Sequence, residues 1–178
     1  MPGLQKFYFI ENFNKDHLKS LDSNTNVIYR NYKEKYDVSK IFNIKKFCKK
    51  IQRKFFLAND INLAVKLQLD GVYIPSFNKD KKHLSYSLKK KFIILGSAHN
   101  IYEIRTKETQ NVNAIFLSSL FKKNKNFLGI HKFKLLTLLS KKPFVPLGGI
   151  SNYNLKKLNL INARCFAGIS FFEQKKGP

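Results

Sequence analysis

The chain contains no tryptophan, one methionine, two cysteines and 11 acidic residues among 178. Each shortage excludes something. Cys48 and Cys165 cannot build a disulfide framework and have no metal-ligand spacing, so a disulfide-stapled fold is excluded and a reducing compartment is expected. No apolar run approaches the ~18 residues a membrane span needs. The apolar stretch 7–10 is broken at Glu11 and lacks a small-residue cleavage site, so no signal peptide is expected and a cytoplasmic chain is. Disorder is excluded by what is abundant: 43% of residues are hydrophobic and 17 are phenylalanine. The length fits one domain, residues 1–178, with a sizeable core.

The shortage of acid leaves a formal charge of +23. Clustered cations suggest nucleic acid, because neutralising phosphates releases counterions. The excess, however, is almost wholly lysine. Arginine, which gives bidentate phosphate and base contacts, occurs only as Arg30, Arg53, Arg105 and Arg164. The lysines are spread along the chain in pairs such as Lys45-Lys46, Lys81-Lys82 and Lys141-Lys142. A solvated lysine surface is the main reading, beside a nucleic-acid face and a field that attracts small anions.

Hydrophobic periodicity predicts strands at 6–13, 27–32, 55–60, 71–77, 92–98, 113–121, 144–150 and 165–172. Helical patterns fall between them at 40–54, 61–69, 100–110, 129–140 and 152–162, with a weaker one at 84–91 and little more than a turn at 16–21. In the helical pattern 40–54 Ile41, Ile44, Cys48 and Ile51 share one face, and Pro143 marks a stop before the seventh strand. Strand–helix alternation implies a parallel sheet with right-handed crossovers. Eight strands are the number that closes a barrel, so the predicted fold is a compact (β/α)8 TIM-type barrel with a shortened first helix and a missing or reduced last one. An open doubly wound sheet is the competing architecture.

The strand ends carry the chemistry. The seventh ends Leu147-Gly148-Gly149-Ile150, with Ser151-Asn152 able to cap a helix, and the eighth ends Gly168-Ile169-Ser170. Glycines at a strand-to-helix turn let backbone N–H groups approach an anion, and in barrels the seventh and eighth strand ends often hold phosphate. A plain turn is the alternative. Arg30 ends the second strand, as an anion contact or a surface arginine. Asp60 ends the third, as a metal ligand or a helix cap. Ser97 and His99 end the fifth, where His99 is a proton shuttle or a cap for the helix at Asn100. His17, His83 and His131 are expected at the surface.

Phe56-Leu57-Ala58-Asn59-Asp60, the segment Ile94-Leu95-Gly96-Ser97-Ala98-His99, and Pro146-Leu147-Gly148-Gly149-Ile150 followed by Gly168-Ile169-Ser170 resemble, in order and spacing, the thiamin phosphate synthase/TenI family. The resemblance covers essentially the whole chain and implies a place in thiamin biosynthesis. It implies that Gly148, Gly149, Ile150 and Ser170 bind a thiazole phosphate, that Arg30 meets the pyrophosphate of a pyrimidine substrate, that Asp60 is a Mg²⁺ ligand and that Ser97 lies in the substrate site. The departures fall on one half of the site. The family's second magnesium aspartate is Asn78, the lysine after the second-strand arginine is Tyr32, and its Thr-x-Thr-Lys is replaced by a loop offering Lys123 and Lys125. This pattern is more similar to TenI, a thiazole tautomerase needing no metal, with His99 and Ser97 as the catalytic pair. The alternatives are an active, Mg²⁺-dependent synthase joining the pyrimidine pyrophosphate to the thiazole phosphate, and a non-catalytic lysine-rich nucleic-acid-binding protein. A homo-oligomer, or a partner subunit in place of the reduced last helix, is left open.

Overall fold

A computed structural model of the protein describes residues 3–173. Eight parallel strands close into a barrel in sequence order. The elements run β1 (Gln5–Ile10), α1 (Lys15–Ser20), β2 (Thr25–Tyr29), α2 (Val38–Lys50), β3 (Phe55–Ala58), α3 (Ile61–Lys66), β4 (Gly71–Ile74), β5 (Ile93–Ala98), α4 (Ile101–Thr109), β6 (Ala114–Ser118), α5 (Gly129–Leu138), β7 (Phe144–Leu147), β8 (Cys165–Gly168) and α6 (Ser170–Glu173). The ring closes where β8 pairs with β1, Tyr8 opposite Gly168. The open sheet is thereby excluded. All eight expected strands form, and most stop short of the expected end because the following residues leave the ladder to build the loops of one face.

Alternation along each strand divides the core in two. Phe7, Phe9, Ile28, Phe56, Tyr73, Leu95 and Phe116 point into the barrel, while their neighbours Tyr8, Ile10, Val27, Leu57, Val72, Ile115 and Leu117 face the helices. Five rings fill the interior: Phe116 lies 5.1 Å from Phe7, 6.0 Å from Phe9 and 5.4 Å from Tyr73, all edge-on, and Phe56 lies 6.1 Å from Phe7. Outside, α2 buries Ile41, Ile44 and Cys48 as its periodicity predicts. Asp37 caps it by accepting from the amides of Ser39 and Lys40, and Lys49 and Lys50 sit on its negative end.

Two expected elements differ. Residues 84–91 contribute only to a 3₁₀ turn, Lys82–Ser85, and 152–162 form a 3₁₀ helix, Leu155–Ile161, in which Leu158 is the one buried residue. Neither has a side-chain cap or a broad enough apolar stripe to hold a full α-helix. The reduced last helix is α6, four residues long; the expectation of almost nothing further concerns residues 174–178, which lie outside the described ones. No helix among the described residues is long and apolar enough to cross a membrane. Both cysteines are free, Cys48 buried and Cys165 half-buried, and burial pushes the Cys48 thiol up to about 12.

Two side chains break the expected surface assignment. His83 is buried at 2% exposure and bonds through Nε2 to the Gln110 carbonyl at 2.8 Å, whereas His17 is half-buried against Tyr8 and His131 is exposed. Lys107, on α4, is fully buried. Its ammonium donates to the carbonyls of Pro75 and Asn78, both at 2.8 Å, and to Gln110 Oε1 at 2.7 Å. Room for its stem comes from Gly96, where a Cβ would lie 2.8 Å from Lys107 Cδ. Burial lowers the Lys107 pKa from 10.5 to about 8.

Two measurements follow from this packing. Phe116→Ala should lower the unfolding free energy in urea by about 3–5 kcal/mol, because the cavity opens inside a closed ring of strands that cannot collapse. Lys107 binds its proton more weakly in the folded chain than in the unfolded one. Unfolding therefore takes up a proton between pH 8 and 10.5, and stability should rise with pH through that window. Urea titrations of the native chain and Lys107→Met should show that slope, on the order of 2–3 kcal/mol across the window, only in the native chain.

Candidate active site

Because the strands are parallel, every strand C-terminus opens on the same mouth. Residues that continue the inward alternation there are Arg30 after Ile28, Ser97 and His99 after Leu95, and Ser118 after Phe116. The fold thus brings Arg30, Asp60, Ser97, His99, Gly149 and Ser170 to one end of the barrel.

On the β1–β2 side, the Arg30 guanidinium stacks 5.3 Å from Phe9 and 5.9 Å from Tyr32, and Nη2 lies 3.3 Å from Glu11 Oε1. That pair is partly exposed and weak, so an incoming dianion can take Glu11's place. Next to it the Tyr73 hydroxyl neighbours the buried Ser97, and burial pushes Tyr73 up to about 12.

At the end of β5 the helix cap is Asn100, whose Oδ1 accepts from the Glu103 amide at 3.0 Å; His99 is therefore released from the capping alternative. Glu103 turns back over this first turn, and its Oε2 accepts from both the His99 backbone N–H and Nδ1, each at 2.8 Å. A carboxylate can only accept, so Nδ1 carries a hydrogen, and in the neutral imidazole the lone pair then lies on Nε2. Glu103 is absent from the sequence assignments, although the spacing Asn100-x-x-Glu103 is that of a capping box and signals it.

Asp60 caps α3 through Oδ1, which accepts from Leu63 at 2.9 Å. Asn59, with φ +62°, accepts from Asn78 Nδ2 at 2.7 Å, and Asn78 Oδ1 accepts from the Asp80 amide at 2.8 Å. These amides tie the β3 and β4 loops together around a cavity of about 140 Å³ that Asp60, Asp80 and His83 also line. The donors do not make a protein cage for a magnesium ion, and Asp60 is the carboxylate that would hold one together with substrate phosphates. Asp60 has one oxygen engaged, the Asn78 oxygen is engaged, and no group of three or more His, Cys, Asp or Glu among the described residues is placed to hold a metal.

The β7 turn is built for close approach. Gly148 (φ +97°) and Gly149 (φ +75°) take conformations that side chains disfavour. A Cβ on Gly148 would lie 2.6 Å from Ser119 Oγ, and one on Gly149 would lie 2.3 Å from the Lys122 amide. The Gly148 carbonyl accepts from Phe121 at 2.8 Å, fastening the β6 loop on which Lys123 and Lys125 stand exposed. The helix expected at Ser151-Asn152 starts later, at Leu155, because Asn154 folds back to bond the Ser151 amide and the Gly149 carbonyl. Ile150 is buried beneath the turn, and Ser170 opens α6 beyond β8, the neighbour of β7. A cleft of about 940 Å³ that includes Lys15, Lys19, Lys46 and Lys50 lies on the outer wall between α1 and α2, away from these strand ends.

Known proteins share this sequence and shape. A thiamine-phosphate synthase from Prochlorococcus marinus subsp. pastoris is 30% identical over 147 residues, 79% of this chain and 42% of that protein. One from Lactococcus lactis subsp. cremoris is 22% identical over 156 residues, covering 85% of this chain and 71% of its own length. The chain thus spans less than half of the Prochlorococcus relative. Among solved structures, the thiamine phosphate pyrophosphorylase from Pyrococcus furiosus superposes with a TM-score of 0.76 at 16% identity, covering 94% of this chain and 86% of the other, which shows a common fold. The model of the thiamine monophosphate synthase family matches residues 17–172, strand ends and mouth included, and the chain belongs to that family.

Proposed function

We propose that the barrel mouth binds a phosphorylated thiazole and that His99, held by Glu103, moves a proton on its ring, the reaction of a TenI-like thiazole tautomerase. The observation that carries this reading is the 2.8 Å contact between His99 Nδ1 and Glu103 Oε2. A fixed imidazole with a basic Nε2 can take a proton from one ring carbon and return it at another, with no net charge or bond left over. Ser97, beside Tyr73, offers a hydroxyl on the same strand. The Gly148-Gly149-Ile150 turn and Ser170 supply amide and hydroxyl donors for the phosphate, and Arg30, Lys123 and Lys125 supply positive charge.

A second reading, condensation of a pyrimidine pyrophosphate with the thiazole phosphate, is favoured by the synthase names of the relatives and by Arg30 at the end of β2. The Asn78 amide in place of a carboxylate weighs against it.

Purified protein should interconvert thiazole phosphate tautomers. His99→Ala should lose about 10²–10⁴-fold in rate, and Glu103→Gln should lose less, with kcat falling more than KM rises. Thiamin phosphate made from both substrates with Mg²⁺, and abolished by Asp60→Ala, would instead establish the second reading; neither product nor thiazole phosphate binding would end the enzyme reading. Asp60 needs a control for its cap. Asp60→Asn should keep native stability, and Asp60→Ala should cost about 1 kcal/mol in urea unfolding.

A further inference from the structure

After β4 the chain turns tightly at Pro75–Asn78, the Asn78 amide donating to the Pro75 carbonyl at 3.1 Å. The third residue of this turn, Phe77, stands 63% exposed. Its partner is Tyr32, from the loop after β2, 45% exposed and edge-on with ring centroids 5.4 Å apart at 82°. Tyr32 adjoins the Arg30 guanidinium, and its hydroxyl is raised by burial and by the neighbouring Tyr73. The two rings therefore stand together at the mouth, Tyr32 against Arg30 and Phe77 against Tyr32. Leaving two large aromatic rings half in water forgoes their burial energy, which a flat ligand would recover.

The turn is braced from behind at some cost. Lys107, fully buried, donates to the carbonyls of Pro75 and Asn78, the two residues that flank Ser76-Phe77, and Gln110 Nε2 adds bonds to Asn78 at 3.1 Å and Asp80 at 2.7 Å. Three N–H donors meet three acceptors, so the ammonium is satisfied only while the turn keeps this shape. Burying a cation is expensive, and an ordinary surface turn needs no such brace. The charged groups around it are Glu103 on the same helix, which holds His99, and, across Gln110, Asp80 and His83.

We propose that Phe77 and Tyr32 form an aromatic clamp, an edge-to-face corner against which the flat heteroaromatic ring of a phosphorylated ligand stacks, and that Lys107 is the positioning residue that holds the clamp in place. The proposal rests on the reading of the mouth as a site for a phosphorylated heterocycle. Arg30, stacked on Tyr32, places a cation at the edge of the clamp, where a ring carrying phosphate would arrive.

The absence of native tryptophan makes the test direct, since Phe77→Trp introduces the sole indole of the chain. Its emission should shift saturably with thiazole phosphate or with the pyrimidine pyrophosphate, identifying which ring enters the clamp, and should not respond to inorganic phosphate or pyrophosphate. Calorimetry should show Phe77→Ala and Tyr32→Ala each weakening that ligand about 10-fold, an effect of the size expected for one aromatic contact and its burial. Lys107→Met should weaken it similarly, add nothing on top of Phe77→Ala, and remove the loss of affinity that the native chain shows as pH rises through about 8. Native protein that binds one ring-bearing ligand while both alanine variants bind it equally well would overturn the clamp alone. Native protein that binds neither would overturn the reading of the mouth, and the clamp with it. An additive Lys107→Met and Phe77→Ala pair, or an unchanged pH profile, would remove Lys107 from its positioning role.

Discussion

The packing of Phe7, Phe9, Tyr73 and Phe116 inside a closed ring of eight strands is the constraint on which the mouth depends. These rings fix which face of each strand turns inward, and a slip of one residue would send every inward side chain out to the helices. Arg30 lies against Phe9 because Ile28 is inward, and Ser97 reaches Tyr73 because Leu95 is inward. Tyr73 belongs to both layers: its ring packs against Phe9 and Phe116, and its hydroxyl faces the polar end. A core of phenylalanine and tyrosine thus does more than exclude water. It sets the register in which polar strand ends arrive at one place.

Above that core, the loops are fastened to one another rather than to the strands alone. Asn78 joins Asn59, the β6 loop hangs on the Gly148 carbonyl, and Asn154 closes the β7 turn. Gly148 and Gly149 serve this packing directly, since a side chain on either would collide with Ser119 or Lys122. The same absence of side chains leaves backbone amides near the mouth. Packing and anion binding therefore ask for the same residue type at the same positions, which is why a Gly-Gly at a strand end cannot by itself distinguish a plain turn from a phosphate cradle.

The barrel was legible in the sequence because its signals are local and repeated. Eight apolar runs with helical patterns between them specify a closed parallel sheet, and Asp37, Asp60 and Asn100 mark helix starts by their chemistry. The helices at 84–91 and 152–162 were overstated because a few apolar residues in a lysine- and asparagine-rich stretch imitate a helical stripe too narrow to be buried. Single side chains were harder. Lysine is the residue of the solvated surface, and nothing local distinguishes Lys107 from its many exposed counterparts; its burial depends on Pro75 and Asn78, far along the chain, and on the space left by Gly96. His83 was misplaced for the same reason, its partner Gln110 lying 27 residues away.

The charge also divides by context. Most of the +23 stands on exposed lysines, where water and salt screen each cation within about 8–10 Å. Two cations are instead held by specific neighbours: Arg30 at the mouth between two aromatic rings and Glu11, and Lys107 in the interior among three oxygens. The Asn78 amide and the lysine buried against that residue's carbonyl belong to one arrangement of the β3 and β4 loops. Where the family resemblance implies two carboxylates that would hold a metal, this chain keeps Asp60, which caps α3, and has at position 78 an amide that joins Asn59, with the Lys107 ammonium bonded behind it. Asn59, Asn78 and Lys107 are thereby engaged in holding these loops together, and the positive charge open to a ligand at this end of the barrel stands on Arg30 and on the exposed Lys123 and Lys125.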